Sequence, residues 1–369
     1  MFVGGEFYYD RRWMADKPTL STAKAHFLNG GRSCLVIIGD YLLDHGIDRI
    51  LLPSYLCPSM LDALEITGLK CGYYQINEDL SINLDDLSQK VHNYKAVYFI
   101  NYFGFLHPPE VRSYLKDLQK NSTILVEDNA QAGFHDHPTG DFILNSLRKV
   151  VPYDGGYLIT ERDVEPYLTK YHGLTNRRLP IIRAYRQQLR DYLLNGTGSH
   201  KSLVNLYVRA EKYYASDVGV EGDPQERQQI ARLDWKGIRQ ARRGNYQYLL
   251  GLIASLPEIT PLFPALQEDN NMPLGLPVYL NGVSRDAVYE YLGDNGIGLF
   301  IHWEELRHDP RTNGNQLAVS MAGKMLTLAT DQRTSYQQMD YLAMQLAKGI
   351  AKAKGKHHQP VSQGSRERP

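Results

Sequence analysis

Residues 123–160 read TILVEDNAQAGFHDHPTGDFILNSLRKVVPYDGGYLIT, and the order of side chains in this stretch decides how the rest of the chain is read. An apolar run ends on two acids, Glu127 and Asp128. Gln131 follows Asp128 by three residues, Ser146 precedes Lys149 by three, and Gly155 and Gly156 stand together. Each element is ordinary alone. An Asp at a strand end is often a turn residue, a Ser a turn or cap former, and a Gly pair a hairpin turn. A Lys beside an Arg, as Lys149 beside Arg148, is commonly a solvated pair. Their joint order is the informative feature.

Upstream, the pattern places this stretch on a parallel sheet. Arg49–Pro53, Lys70–Ile76, Lys95–Ile100 and Thr123–Glu127 read as short buried strands, with helical segments at 56–67 and 109–120 between them. Strands alternating with helices imply βαβ units. Ligands in such sheets bind beyond the carboxyl ends of the strands, where Asp128 would lie. Before the first of these strands, FLNGGRSCLVIIGDYLLDHG (27–46) is a Gly-rich turn running into a helix that stops at Gly46. The free N–H groups of such a helix start suit a phosphate, which makes Gly31, Arg32 and Ser33 anchor candidates.

Downstream, residues 161–255 read as mostly helical, with a loop at Asn195–His200 and a long helix near 224–255. From about 273 a compact α+β pattern follows: strands LGLPVYL, IGLFIHW and MLTLAT, a helix capped by Ser284, and a closing helix from Thr334. The 369-residue length exceeds one ordinary core. The expected layout is an N-terminal arm over 1–25, a large domain over 26–240, a small α+β domain over 241–353, and a disordered tail over 354–369.

Composition excludes several classes. Net charge is +0 with no basic block before the tail, which argues against nucleic acid or an anionic membrane as partner. No apolar stretch is long enough to span a bilayer, and no signal peptide is evident. Cys34, Cys57 and Cys71 lack metal-type or disulfide-framework spacing, so reduced thiols and a cytoplasmic location are expected. His135 and His137 form an HxH, yet no third ligand stands at a defined spacing, so no metal is expected. There is neither a GxGxxG after the first strand nor a Walker A loop.

Pyridoxal phosphate makes four demands on a protein: an amine for its aldehyde, a carboxylate for its pyridine nitrogen, donors for its phosphate, and a group covering its ring. The chain resembles the DegT/DnrJ/EryC1 group of fold-type I pyridoxal-phosphate enzymes, mostly sugar aminotransferases. The likeness is carried by VEDNAQA (126–132), SLRKVVPYDGG (146–156) and LTLATDQR (326–333), with LNGGRSCL (28–35) and LLPSYLCPSM (51–60) in support. It implies a mostly parallel seven-stranded sheet flanked by helices. It also implies that Lys149 carries the cofactor as a covalent imine, that Asp128 pairs with the ring nitrogen, that Gln131 lies by the ring hydroxyl and that Ser146 helps bind the phosphate. The ring-covering position falls on Cys57, with Tyr55 two residues away, and the likeness does not choose between them.

By the same resemblance, the expected activity moves an amino group from an amino acid, glutamate by analogy, to a keto-sugar, likewise nucleotide-linked by analogy. A homodimer with sites between subunits is expected. His302 and Asn176 are candidate substrate contacts, Asn176 toward a neighbouring subunit. Two alternatives stand beside this reading: a pyridoxal-phosphate enzyme acting on a non-sugar ketone, aldehyde or amino acid, and a non-catalytic binding or regulatory protein on the same fold.

Overall fold

The computed structural model describes residues 1–20, 25–136, 138–217, 221–266, 271–312 and 314–357. In chain order the strands are β1 (Val3–Gly4), β2 (Ala25–Leu28), β3 (Arg49–Pro53), β4 (Lys70–Tyr74), β5 (Ala96–Ile100), β6 (Ile124–Asp128), β7 (Phe142–Leu144), β8 (Gly156–Thr160), β9 (Ile259–Pro261), β10 (Leu276–Leu280), β11 (Ile297–Gly298) and β12 (Met325–Leu328). The helices are α1 (Gly31–Asp44), α2 (Pro58–Glu65), α3 (Leu84–Val91), α4 (Pro109–Lys120), α5 (Glu165–Lys170), α6 (Arg178–Asn195), α7 (His200–Ser216), α8 (Pro224–Ala231), α9 (Trp235–Ile253), α10 (Arg285–Asp294), α11 (Gln316–Lys324) and α12 (Tyr336–His357).

The main sheet has seven strands in the order β2-β8-β7-β6-β5-β3-β4. Its members run parallel except β8, which is antiparallel to both β2 and β7. Every residue of β5 (AVYFI) and β6 (ILVED) is buried. A parallel strand covered on both faces cannot alternate polar and apolar residues, so both sequences read as unbroken apolar runs until they reach the sheet's edge. α1 lies across the sheet with eleven of its residues buried, Gly31 to Leu42, and touches β7 and β8.

A second, antiparallel sheet, β12-β10-β9, forms with α10 and α12 the C-terminal part. The N-terminal arm packs on this part of its own chain. β1 pairs parallel with β11, and Arg333 donates to the carbonyls of Gly5 and Glu6 at 3.0 and 2.7 Å while stacking on Phe7. α9 crosses from one sheet to the other. Arg242 on it is fully buried and donates to the carbonyls of Val150, Pro273 and Leu274 and to Gln332.

Several boundaries differ from the sequence reading. The long helix near 224–255 is two helices, because Asp234 caps a new start by accepting from Gly237 N–H at 2.9 Å. IGLFIHW is a strand only over Ile297–Gly298; beyond it the backbone is taken up by a single bridge from Phe300 to Thr327. The arm ends before Ala25, which opens β2 on the edge of the main sheet. α12 runs to His357, four residues into the stretch expected to be a tail, and the remainder of that stretch lies outside the described residues.

Close approach explains the glycine at 156, at the sheet end nearest α1. A Cβ on Gly156 would meet the Asn145 carbonyl oxygen at 2.3 Å and the Gly30 carbonyl carbon at 3.0 Å, both backbone atoms that cannot rotate away. Gly156→Ala is therefore expected to destabilise by about 1–3 kcal/mol, the usual cost of overpacking. Gly244→Ala, in the middle of α9 with nothing within 4 Å of the added methyl, should instead stabilise by up to about 1 kcal/mol. Urea unfolding midpoints of the two variants would move in opposite directions.

Candidate active site

Glu127 and Asp128 are consecutive residues of β6, so the pleat sends them to opposite faces of the sheet. Glu127 meets a full set of donors. One oxygen accepts from Asn101, Asn129 and His135 at 2.9, 3.2 and 2.6 Å; the other accepts from the N–H groups of Thr139 and Gly140 at 2.6 and 2.9 Å. Burial would raise this carboxyl's pKa, but His135 and the two N–H donors outweigh it and hold it below the ordinary value. His135 thus belongs to a structural pair. His137 lies outside the described residues, and no cluster suited to a metal ion occurs among those described.

Asp128 is held by fewer partners. Tyr98 donates its hydroxyl at 2.6 Å and Ala130 its N–H at 2.6 Å. Burial dominates here: despite those two bonds and the field of Lys149, its pKa lies above the ordinary carboxylate value. No cation forms an ion pair with it among the described residues. A buried acid in this state gains most from a cationic N–H brought to it.

Lys149 ends a single 3-10 turn, Leu147–Lys149, that leaves β7 through Asn145 and Ser146. The turn is fixed from both sides. Asn145 accepts from Tyr157 N–H at 2.8 Å, and the carbonyl of Val150 accepts from Arg242 at 3.0 Å and Gln332 at 2.9 Å. The amine of Lys149 itself has no hydrogen-bond partner among the described residues. It opens onto two neighbouring cavities. The inner one is lined by Asp128, Gln131, Ser146, Gly31 and Arg32, the outer by His302, Thr327 and the arm residues Gly4 to Phe7. Cys57, Arg148, Lys149 and Trp303 border both.

The inner cavity carries donors whose partners are missing. Ser146 Oγ is buried without a hydrogen bond, as is the amide nitrogen of Gln131, whose oxygen accepts from Phe103 N–H at 2.8 Å. α1 begins at Gly31 with no side-chain cap, and its first three residues are buried, so its free N–H groups face the protein interior. Buried polar groups are nearly always satisfied, and orphans concentrated in one cavity call for a ligand. A phosphate fits the helix start and Ser146, an acceptor on a ring fits Gln131, and a ring N–H fits Asp128. The residues present therefore fit pyridoxal phosphate.

The other sequence candidates fall as follows. Gly31, Arg32 and Cys57 line the inner cavity, and Ser33 is buried in the first turn of α1. Tyr55 does not line it: the ring is fully buried against Tyr102 and Trp303, and its hydroxyl donates to the His302 carbonyl. Asn176 is not at a cavity either. It donates to Asn29 at 2.8 Å and accepts from Leu179 N–H at 3.0 Å, fixing the start of α6 within its own chain. His302 lines the outer cavity, bonds Thr327 Oγ1 at 2.9 Å, and has its pKa pushed down to about 3 by burial and then by Lys149, so its ring stays neutral. Tyr98, Arg148 and Tyr214, which the sequence reading does not place at the site, also line the inner cavity. Tyr98 alternates along β5 toward the Asp128 side, a readable signal, whereas Tyr214 comes from a distant element and carries none.

No family model matches the chain, and no curated protein matches it. Solved structures do. Spr1654 of Streptococcus pneumoniae in its apo-form, assigned as a sugar aminotransferase, is 15% identical, covers 94% of each chain and superimposes with a TM-score of 0.66. Helicobacter pylori PseC, an aminotransferase involved in pseudoaminic acid biosynthesis, is 14% identical over 89% of this chain and 87% of its own, with a TM-score of 0.63. DesV of S. venezuelae is 18% identical over 88% and 84%, with a TM-score of 0.60. The chain shares the fold of these solved structures, a mostly parallel seven-stranded sheet with flanking helices.

Two buried groups predict acid sensitivity. The folded pKa of Glu127 lies below the ordinary 4.5, and that of His302 is about 3 against an ordinary 6.5. As pH falls, the unfolded chain protonates each group first. Both contributions are therefore whole above the unfolded values and are lost on acidification, His302 between 6.5 and about 3 and Glu127 below 4.5. Urea midpoints across pH 3–7 should fall less steeply below pH 6.5 in His302→Gln. Glu127→Gln should cost about 1–3 kcal/mol at pH 7, because an amide cannot accept from all five donors.

Proposed function

We propose that the protein is a pyridoxal-phosphate-dependent aminotransferase. It would take an amino group from an amino acid, glutamate by analogy, and pass it to a keto-sugar linked to a nucleotide.

 One observation carries the reading: Lys149, Asp128, Gln131 and Ser146 surround a single cavity at the carboxyl end of β6, and the last two keep buried donors without partners there.

When bound, the cofactor supplies an electron sink for the carbanion formed at the substrate's amino-bearing carbon. The chain's residues would do the rest. Asp128, held by Tyr98 and the Ala130 N–H, accepts the ring N–H and keeps that nitrogen protonated. Gln131 donates its amide N–H to the ring hydroxyl. Ser146 and the first N–H groups of α1 bind the phosphate. Lys149 would hold the cofactor through its amine, and its Nζ, when free, would take the proton from the substrate's amino-bearing carbon and give it back. Trp303 and Cys57, which border both cavities, would wall the ring, and the neutral His302 lining the outer cavity would face the substrate.

We further propose a large domain over 26–240 and a small one over 241–353, joined along α9, and a cytoplasmic homodimer. Exposed Val204 and Val208, one turn apart on α7, support a contact surface on the α6–α7 hairpin.

The visible spectrum of the purified protein tests the reading. Added cofactor should give an absorbance band that is absent in Lys149→Ala, and that variant should lose about 10²–10⁴-fold in amino transfer. Asp128→Asn should still bind the cofactor but transfer poorly. A wild-type protein that stays colourless with added cofactor would sink the proposal; a coloured protein inert toward nucleotide-linked keto-sugars would remove the acceptor alone.

A further inference from the structure

Tyr214, near the end of α7, stands over the start of α1. A Cβ on Gly30 would meet its hydroxyl at 3.2 Å and the orphan Ser146 Oγ at 3.9 Å, so phenol and serine border the same small space. The ring of Tyr214 is surrounded by guanidinium groups, with Arg148 at 4.4 Å, Arg178 at 5.1 Å and Arg32 at 5.7 Å from its centroid. Such contacts fix an aromatic ring and orient it. Burial would raise the phenol's pKa, yet Arg148, Arg178 and Arg32 more than offset it and lower it, which makes the O–H a stronger donor.

Charge at this end of the cavity is left positive. Arg178 is paired with Asp154 and with Glu211 at 2.9 Å, and Arg186 shares Asp154 at 2.6 Å. Glu211 is also the acid nearest Arg148, at 3.9 Å, and so is divided between two cations. Positive charge, an uncapped helix start, an unpartnered serine hydroxyl and a strengthened phenol donor converge on one point. A phosphate dianion satisfies all four.

Resting on the cofactor reading above, we propose that Tyr214 donates a hydrogen bond to the cofactor's phosphate, and that Arg148, stacked on its ring, is the positioning residue that holds it there. The α6–α7 hairpin then belongs to the cofactor site of its own chain and is more than a surface appendage.

Comparing pyridoxal 5′-phosphate with pyridoxal, which lacks the phosphate, isolates the effect. Both would be titrated into wild-type protein, Tyr214→Phe and Arg148→Gln, following visible absorbance. Tyr214→Phe should weaken pyridoxal 5′-phosphate about 10–100-fold, the worth of one hydrogen bond to a charged group, and leave pyridoxal unchanged. Arg148→Gln should reduce the same preference by a smaller factor, and it carries the test should Tyr214→Phe fail to fold. Unchanged preference in both variants, or equal loss for both ligands, overturns the proposal. A wild-type protein that binds neither ligand overturns the cofactor reading beneath it, whereas one that binds both equally overturns only the phosphate grip.

Discussion

Two adjacent carboxylates buried at the end of one strand are the constraint around which this structure is arranged. Glu127 and Asp128 both leave water, and a buried charge is tolerated only where donors or a counter-charge meet it. Because a strand alternates its side chains, one sequence motif creates two separate problems on two faces of the sheet. On one face Asn101, just after β5, and four groups between Asn129 and Gly140 give Glu127 five donors. On the other, Tyr98 and one N–H hold Asp128 beside a cavity, and its charge is left for something else to match. The first is solved within the fold; the second is left open toward the cavity.

The same division holds across the site. Groups that set backbone position are saturated: the Val150 carbonyl takes bonds from Arg242 and Gln332, and Asn145 from Tyr157. Groups facing the cavity are not, as Ser146 and Gln131 demonstrate. Rigid support with open chemistry is what a reaction centre needs, since fixed groups need no reorganisation when charge develops. Arg242 extends this support across the molecule, because its guanidinium ties the segment after Lys149 to the chain around Pro273 and Gln332.

What could be read in advance followed from how each segment is buried. β3, β5 and β6 lie inside a two-sided sheet and announce themselves as apolar runs, whereas β4 (KCGYY) closes one edge and is only half-buried. β2, β7 and β8 are short or sit toward an edge, and their residues resemble loop. The break between α8 and α9 hangs on a single Asp234 cap, too local a cue to override an apparently continuous helical pattern. Tyr55 stands only two residues from Cys57 in the chain, yet its ring packs in the core against Tyr102 and Trp303, because a large aromatic gains more there than at a wet cavity wall. Asn176 is expected to reach outward, but it donates to Asn29 and accepts from the Leu179 N–H at the start of α6.

By itself, the sequence determined the parallel sheet, the acid at the end of its central strand, the Ser-to-Lys segment and the glycine turn entering the first helix. Those depend on local geometry and on the ends of buried strands, which periodicity and residue type record. Only the tertiary structure decided which groups complete the site. Trp303 arrives from the C-terminal part, Arg242 from α9 and Tyr214 from the end of α7, each brought in by packing between elements far apart in the chain. No local pattern encodes such meetings, because they depend on where whole elements come to rest.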